Sequence, residues 1–258
     1  MRLMKRILSA AAVLALSASL LVGCSSGTAS SVPVSASSAT ESTVSSVEET
    51  ASSAVDENEA AAAQLLNDLT GSYQELWPVI LADEYKQTWL DVCTALVGED
   101  NAEAAFEKLS SMVTGDVYGE DAVKAYANGG GAYFCGFTNS LAILTFDGET
   151  STISGTDKDG NVLFSHTYHY IGMEPVRGLY EFESDDADSG EFTYFFLAPD
   201  TSAETYHIEF RYGSDAEALS QYDAGEYAYW LASGISTDCD QTMINNCIEL
   251  FCTENLAG

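Results

Sequence analysis

Two hydrophobic periods divide the chain. Between residues 83 and 127 apolar side chains recur every three to four positions. Tyr85, Trp89, Val92, Cys93 and Leu96 do so over 83–97, and Ala105, Phe106, Leu109, Met112 and Val113 over 102–113. That spacing puts each set on one face of an amphipathic helix. A shorter helix over 121–127 ends at Asn128-Gly129-Gly130-Gly131. Past the glycines the period becomes two. Segments 132–137, 141–146, 151–155, 162–171, 178–183, 192–197 and 206–212 read as strands, separated by Asp147-Gly148, Asp159-Gly160, Ser189-Gly190 and Pro199-Asp200. The helical period returns over 240–255 with Met243, Ile244, Cys247, Ile248, Leu250 and Phe251, and Ser236-Thr237-Asp238 offers a cap. Ahead of these elements, 55–69 has helical character, and 68–81 carries a dense patch of Tyr73, Leu76, Trp77, Val79, Ile80 and Leu81 around Pro78. The pattern predicts an α+β domain, mainly β: an antiparallel barrel or sandwich flanked by N- and C-terminal helices.

The sharpest alternation lies in 205–213. Thr205, His207, Glu209 and Arg211 share one face of that strand, and Tyr206, Ile208, Phe210 and Tyr212 the other. The apolar row reads as core. The polar row places one of three histidines two residues from a carboxylate, which makes it the candidate chemical site.

The N-terminus reads as a removable segment. Arg2, Lys5 and Arg6 precede an apolar run over 7–20, which ends at Leu21-Val22-Gly23-Cys24. That is the arrangement of a bacterial lipoprotein signal, with small residues before the cysteine whose thiol receives the lipid. The run is shorter than the roughly 20 residues that span a bilayer. Residues 1–23 are therefore read as a lipoprotein signal peptide. Residues 24–60 are read as the lipidated Cys24 and a disordered Ser/Thr-rich linker, and 61–258 as one domain. The expected location is extracytoplasmic, lipid-anchored to the bacterial membrane at the cell surface or in the periplasm. A flexible tether of about 30 residues reaches on the order of 30 Å.

Charge narrows the partners. The chain carries nine Lys and Arg against forty Asp and Glu, a formal charge of -31. Three of the nine basic residues lie in the signal, so six face forty in the remainder, or -34. Such a chain repels phosphate backbones and anionic headgroups. Nucleic acid is excluded as a partner, and membrane contact is left to the lipid. After Cys24, five cysteines remain: Cys93, Cys135, Cys239, Cys247 and Cys252. The odd number leaves at least one unpaired within the chain. No C-x-x-C occurs, one disulfide is possible, and its pairing is not readable from spacing.

Chemical motifs are sparse. The chain has no G-x-S-x-G, H-E-x-x-H, P-loop or dinucleotide fingerprint, and it is not read as an enzyme. Asp157-Lys158-Asp159-Gly160-Asn161 starts like a calcium loop, but Tyr168 stands where the bidentate Glu is needed, so a hairpin turn is expected. His166 and His169 are three apart on a strand and point to opposite faces. If Tyr168 and Tyr170 face inward, so does His166.

Three stretches stand in a recognisable order: Leu69-Thr70-Gly71-Ser72-Tyr73-Gln74-Glu75-Leu76-Trp77-Pro78, then Val176 to Glu183, then Ala198-Pro199 followed by Tyr206-His207-Ile208 and Gly213-Ser214-Asp215. In that order they resemble the ZinT (YodA) family of zinc-binding, lipocalin-like domains. Trp230 and the closing helix fit the family's tail. The resemblance implies a calycin-type barrel with helical additions and a zinc site of three histidines near the barrel mouth. One of those falls on His207; the other two positions hold Thr205 and Phe195. Glu209 lies on the correct face to serve beside His207, and His166 is a candidate third ligand. The expected function is binding of a divalent metal, zinc foremost, for buffering or delivery to an importer. The alternative is a metal-free barrel that binds a small apolar ligand or a protein partner, with fourteen Tyr and eleven Phe available to line a cavity.

Overall fold

The computed structural model describes residues 45–115, 117–198 and 207–257, with only the backbone for 45–56. The chain divides into two units, Met1–Glu48 and Glu49–Gly258. The stretch read as a signal peptide, with Cys24, lies outside the described residues.

Helix α1 (Ser45–Asp68) begins inside the stretch read as linker, ahead of the helical character that the sequence shows from residue 55. Glu and Ala are good helix formers, and helix formation does not require the core-forming residues this stretch lacks. The core itself starts at Ala62. Ala62, Leu65 and Leu66 sit on one face of α1, and with Leu69 just past its end they join the interior of the barrel.

The barrel is a closed antiparallel meander of eight strands. These are β1 (Gly71–Glu75), β2 (Ile143–Asp147), β3 (Thr152–Thr156), β4 (Val162–Met173), β5 (Tyr180–Ser184), β6 (Tyr194–Leu197), β7 (His207–Gly213) and β8 (Ala232–Ser236). Each pairs with the next, and β8 closes on β1 with Tyr73 opposite Ser236 and Glu75 opposite Gly234. This up-and-down closure is the lipocalin-like, calycin-type arrangement within the α+β class, and it leaves no open edge.

Two strands, β1 and β8, were hidden in the sequence. β1 sits in the aromatic patch before Pro78, and β8 reads Ala-Ser-Gly-Ile-Ser, almost all small residues. Conversely, 132–137 forms only isolated bridges, with Phe134 meeting Thr114 and Trp230. The remaining predicted strands match within about two residues.

Between β1 and β2 the chain inserts α2 (Leu76–Ile80), α3 (Lys86–Val97), α4 (Ala102–Val113) and α5 (Glu120–Ala127). A four-residue helix, α6 (Ala216–Leu219), follows β7, and α7 (Gln241–Leu256) follows β8. The cap of α7 is Asp240 rather than the earlier Ser-Thr-Asp: its Oδ1 accepts from the backbone N–H of Thr242 at 2.8 Å and of Met243 at 2.9 Å.

The apolar residues form two clusters on opposite sides of the barrel wall. The inner one is a stack of rings. Phe164 lies on Phe192 at 3.9 Å, and Phe195 packs against Tyr212 at 5.4 Å, Phe164 at 5.8 Å and Phe210 at 6.4 Å. Gly155 makes room for this stack: a Cβ there would meet Phe164 and Leu141 carbons at 2.4 Å. The outer cluster lies between the wall and the helices, joining Leu76, Trp77, Ile80, Trp89, Cys93, Leu109, Ile244, Ile248 and Cys252 to Ile235 of β8.

Candidate functional site

Strand β7 divides the two clusters residue by residue. Ile208, Phe210 and Tyr212 point inward and are buried in the interior stack. His207, Glu209 and Arg211 occupy the outward row, as alternation requires. Their cross-strand partners are Ile235 for His207, Ser233 for Glu209 and Phe196 for Arg211.

Helices α2 and α7 lie over the first part of that row. Trp77 of α2 meets Phe251 of α7 edge-on, with ring centroids 4.8 Å apart. Trp89 of α3 donates its indole N–H to the Ile80 carbonyl at 2.7 Å and holds the end of α2 in place. What remains between wall and helices is a cavity of ≈ 40 Å³. His207 and Glu209 line it from β7, Leu76, Trp77 and Ile80 from α2, and Cys247, Leu250, Phe251 and Glu254 from α7. His207 and Glu209 are half-buried, and Glu254 is exposed at the rim. The Glu209 charge also reaches Cys135: burial first, and this carboxylate second, push that thiol up to about 12.

Cys247 and Glu254 were not singled out from sequence as neighbours of His207. The signal was present in α7, where 247, 250, 251 and 254 recur at helical spacing and form one stripe. Glu254 is the lone acid in that stripe.

Arg211 has a different role from its row-mates. It is fully buried. Its guanidinium donates to the carbonyls of Leu219, Tyr227 and Gln221, the last at 3.4 Å. It also stacks over the Tyr222 ring at 4.4 Å, and Arg177 does the same at 4.4 Å. The Tyr222 hydroxyl in turn donates to Glu174 at 3.2 Å. Burial lowers the Arg211 pKa, and the Tyr222 contact opposes that. Arg211 therefore fastens the segment between α6 and β8 onto the outer wall.

His166 lies on the inward row of β4 with Phe164 and the buried Tyr168, as the alternation predicts. Its ring stacks near Phe164 at 5.9 Å, and Nδ1 is 2.8 Å from Asp186 Oδ2. His207 faces outward, so the barrel wall stands between the two imidazoles, and the structure does not bring His166 to the cavity. His169, on the outer face of β4, has its Nδ1 2.8 Å from Asp185 Oδ1. Phe195, at one of the family's histidine positions, is wholly buried in the interior stack. Thr205, at the other, lies outside the described residues. Among the described residues no group of three or more His, Cys, Asp or Glu is arranged to hold a metal ion. The Asp157 loop is the expected hairpin turn: Asp157 accepts from the backbone N–H of Asp159 at 2.9 Å and of Asn161 at 2.8 Å.

By architecture the domain is a helix-buttressed, closed eight-stranded barrel with a small cavity on its outer wall, mostly apolar in lining but bordered by His207, Glu209 and Glu254. No protein-family model matches the chain, and no curated protein does. Among solved structures it is similar to the Zn(II)-bound ZinT-like domain of AdcA from Streptococcus pneumoniae. The identity is 16% and the TM-score 0.45, over 71% of this chain and 89% of that one. It is also similar to Zn(II)-bound AdcA from Streptococcus pneumoniae, at 15% identity and a TM-score of 0.44, over 71% of this chain and 35% of that one. The chain thus spans about a third of the length of that second structure.

Proposed function

We propose that this chain is an extracytoplasmic module, anchored through Cys24, that binds a divalent metal ion at His207 and Glu209, zinc foremost, for buffering or handover to an importer. The observation that carries the reading is the placement of His207 and Glu209 side by side on the outward row of β7, at one cavity under α2 and α7. An imidazole and a carboxylate suit a borderline divalent ion, and the acid excess of the chain raises the local cation concentration. The donor set falls short of a zinc site of the usual kind, which takes at least three protein ligands. The proposed site is accordingly open, with two protein donors, and its affinity is modest, on the order of 10 μM or weaker. Because protons compete for the imidazole, binding weakens on acidification. The packed interior favours this outer site over an apolar ligand in the barrel. Phe146, Phe182, Phe195, Phe210 and Tyr212 are at most 1% exposed and fill the space such a ligand would need.

Calorimetric titration of the metal-stripped protein with zinc tests the reading. The wild type is expected to bind, and His207→Ala and Glu209→Gln each to lose about tenfold or more, roughly 1.4 kcal/mol. Wild-type binding no tighter than millimolar, or a His207→Ala variant that binds as well as wild type, rejects it.

A further inference from the structure

The outer cluster holds a feature that the metal reading does not use. Cys93 lies in the middle of α3 and Cys252 near the end of α7, and both are 0% exposed. The two helices pack along each other. Trp89, one turn before Cys93, meets Phe251, the residue before Cys252, with ring centroids 6.0 Å apart. The layer formed by that ring pair places Cys93 and Cys252 in one buried cluster between the two helices, and each thiol acts on the other's ionisation. Both are thiols in the structure. Of the other three cysteines, Cys135 lies before β2, Cys239 just before α7, and Cys247 within α7.

We propose that Cys93 and Cys252 form a structural disulfide in the folded, exported protein, tying the C-terminal end of α7 to α3. The pairing rests on geometry. The supply of an oxidant rests on the exported reading of the N-terminus, since extracytoplasmic compartments sustain disulfides and the cytosol does not. The bond forms by exchange with a disulfide, either a small molecule or the disulfide of an oxidising protein catalyst. One thiolate attacks it to give a mixed disulfide and releases one thiol. The second thiolate then displaces the other half. The two cysteines lose two electrons and two protons in total, and the oxidant becomes two thiols. Burial sets the order of events. In the folded chain both thiols are pushed up, Cys252 to about 12, so few thiolates exist there to react. The exchange therefore belongs to folding, before α7 docks, and once closed the bond resists reduction.

The consequence reaches the cavity. Cys247, Leu250, Phe251 and Glu254 are on the same helix as Cys252 and form the cavity's outer side. A bond at Cys252 fixes that side against α3, and so fixes the opening over His207 and Glu209. It also closes a loop of more than 150 residues, the regime in which a cross-link restricts the unfolded chain most.

Two preparations of the full chain test the pair: one recovered from the membranes of the expressing bacterium, the other made in the cytosol, reduced, and refolded in oxidised glutathione. Each is denatured without reductant, alkylated and mapped by mass spectrometry. The expected result in both is a peptide pair joined at Cys93 and Cys252, with Cys135, Cys239 and Cys247 alkylated. Reductant should lower the melting temperature by roughly 5–10 °C. It should leave a Cys93→Ala/Cys252→Ala variant unmoved. If the refolded chain alkylates at all five cysteines, or links Cys252 to any partner other than Cys93, the proposal is overturned. A linked pair in the refolded chain with free thiols in the membrane-derived one also overturns the proposal, because the bond is then absent from the protein as the cell makes it.

Discussion

The two faces of β7 experience opposite environments, although their residues alternate along one strand. Inward, Ile208, Phe210 and Tyr212 enter a dry stack of rings, and the one polar atom among them is satisfied. The Tyr212 hydroxyl accepts from the Thr138 N–H at 2.6 Å and donates to the Thr138 carbonyl at 2.9 Å. Outward, three polar side chains meet three different coverings. Arg211 is sealed by backbone carbonyls and an aromatic ring, Glu209 lies near the buried Cys135, and His207 borders a cavity under two helices. The inner face is uniform because only packing acts on it. The outer face is heterogeneous because each position answers to whatever element crosses it. Stability should therefore be concentrated inside, and chemistry outside.

The strongest test of that division is Phe195→Ala. The side chain is fully buried between Phe164, Phe210 and Tyr212. Its removal should cost about 3–5 kcal/mol, read as a lower urea midpoint at unchanged slope. A cost below about 1 kcal/mol would mean a loosely filled barrel, and would reopen the interior to an apolar ligand. Next in size is Arg211→Lys. The charge is kept, but the planar fork that reaches three carbonyls is lost, and an ammonium cannot span them. We expect about 2–3 kcal/mol. A neutral result would place Arg211 with the solvated residues of the outer row and blur the contrast between the two faces.

Much of this was legible in the chain. Period-two alternation in 205–213 located β7 and assigned both of its faces, and Phe210 and Tyr212 lie where the apolar row puts them. The helices over 86–97 and 102–113 were equally plain, because large apolar residues mark their buried stripe. β8 was not, since Ala232, Ser233 and Gly234 carry no hydrophobic signal. Gly234 is small because Ile208 and Phe137 crowd it from within, at 3.0 and 3.3 Å from a Cβ placed there. The cavity was half legible. His207 and Glu209 share a strand, but the opposite side comes from α7, some forty residues on, and no local pattern reveals which helix crosses which strand. Arg211 reads as a polar neighbour of His207. That it is a clip depends on carbonyls at 219, 221 and 227, which no side-chain pattern encodes.

The smallest expected effect uses alkaline pH to compare the same two regions. On the outer side, burial pushes Cys135 and Cys247 from 9.0 up to about 12. Inside, burial pushes Tyr73 from 10.0 up to about 12. In each case the folded chain holds a proton that the unfolded chain releases at lower pH. Above pH 9 the unfolded state therefore binds fewer protons, and stability falls as pH rises toward about 12. The thiols should start the decline and the phenol should join it about one unit later. Urea midpoints measured at steps from pH 8 to 11 should be flat at first and then fall. Cys135→Ala and Cys247→Ala should blunt the first part of the descent, and Tyr73→Phe the later part. Reductant should steepen the first part by freeing Cys252, whose own thiol is pushed up to about 12 when it is not bonded to Cys93. A midpoint that stays level through pH 11 would mean that water reaches these groups, and that neither side of the wall is as dry as its packing indicates.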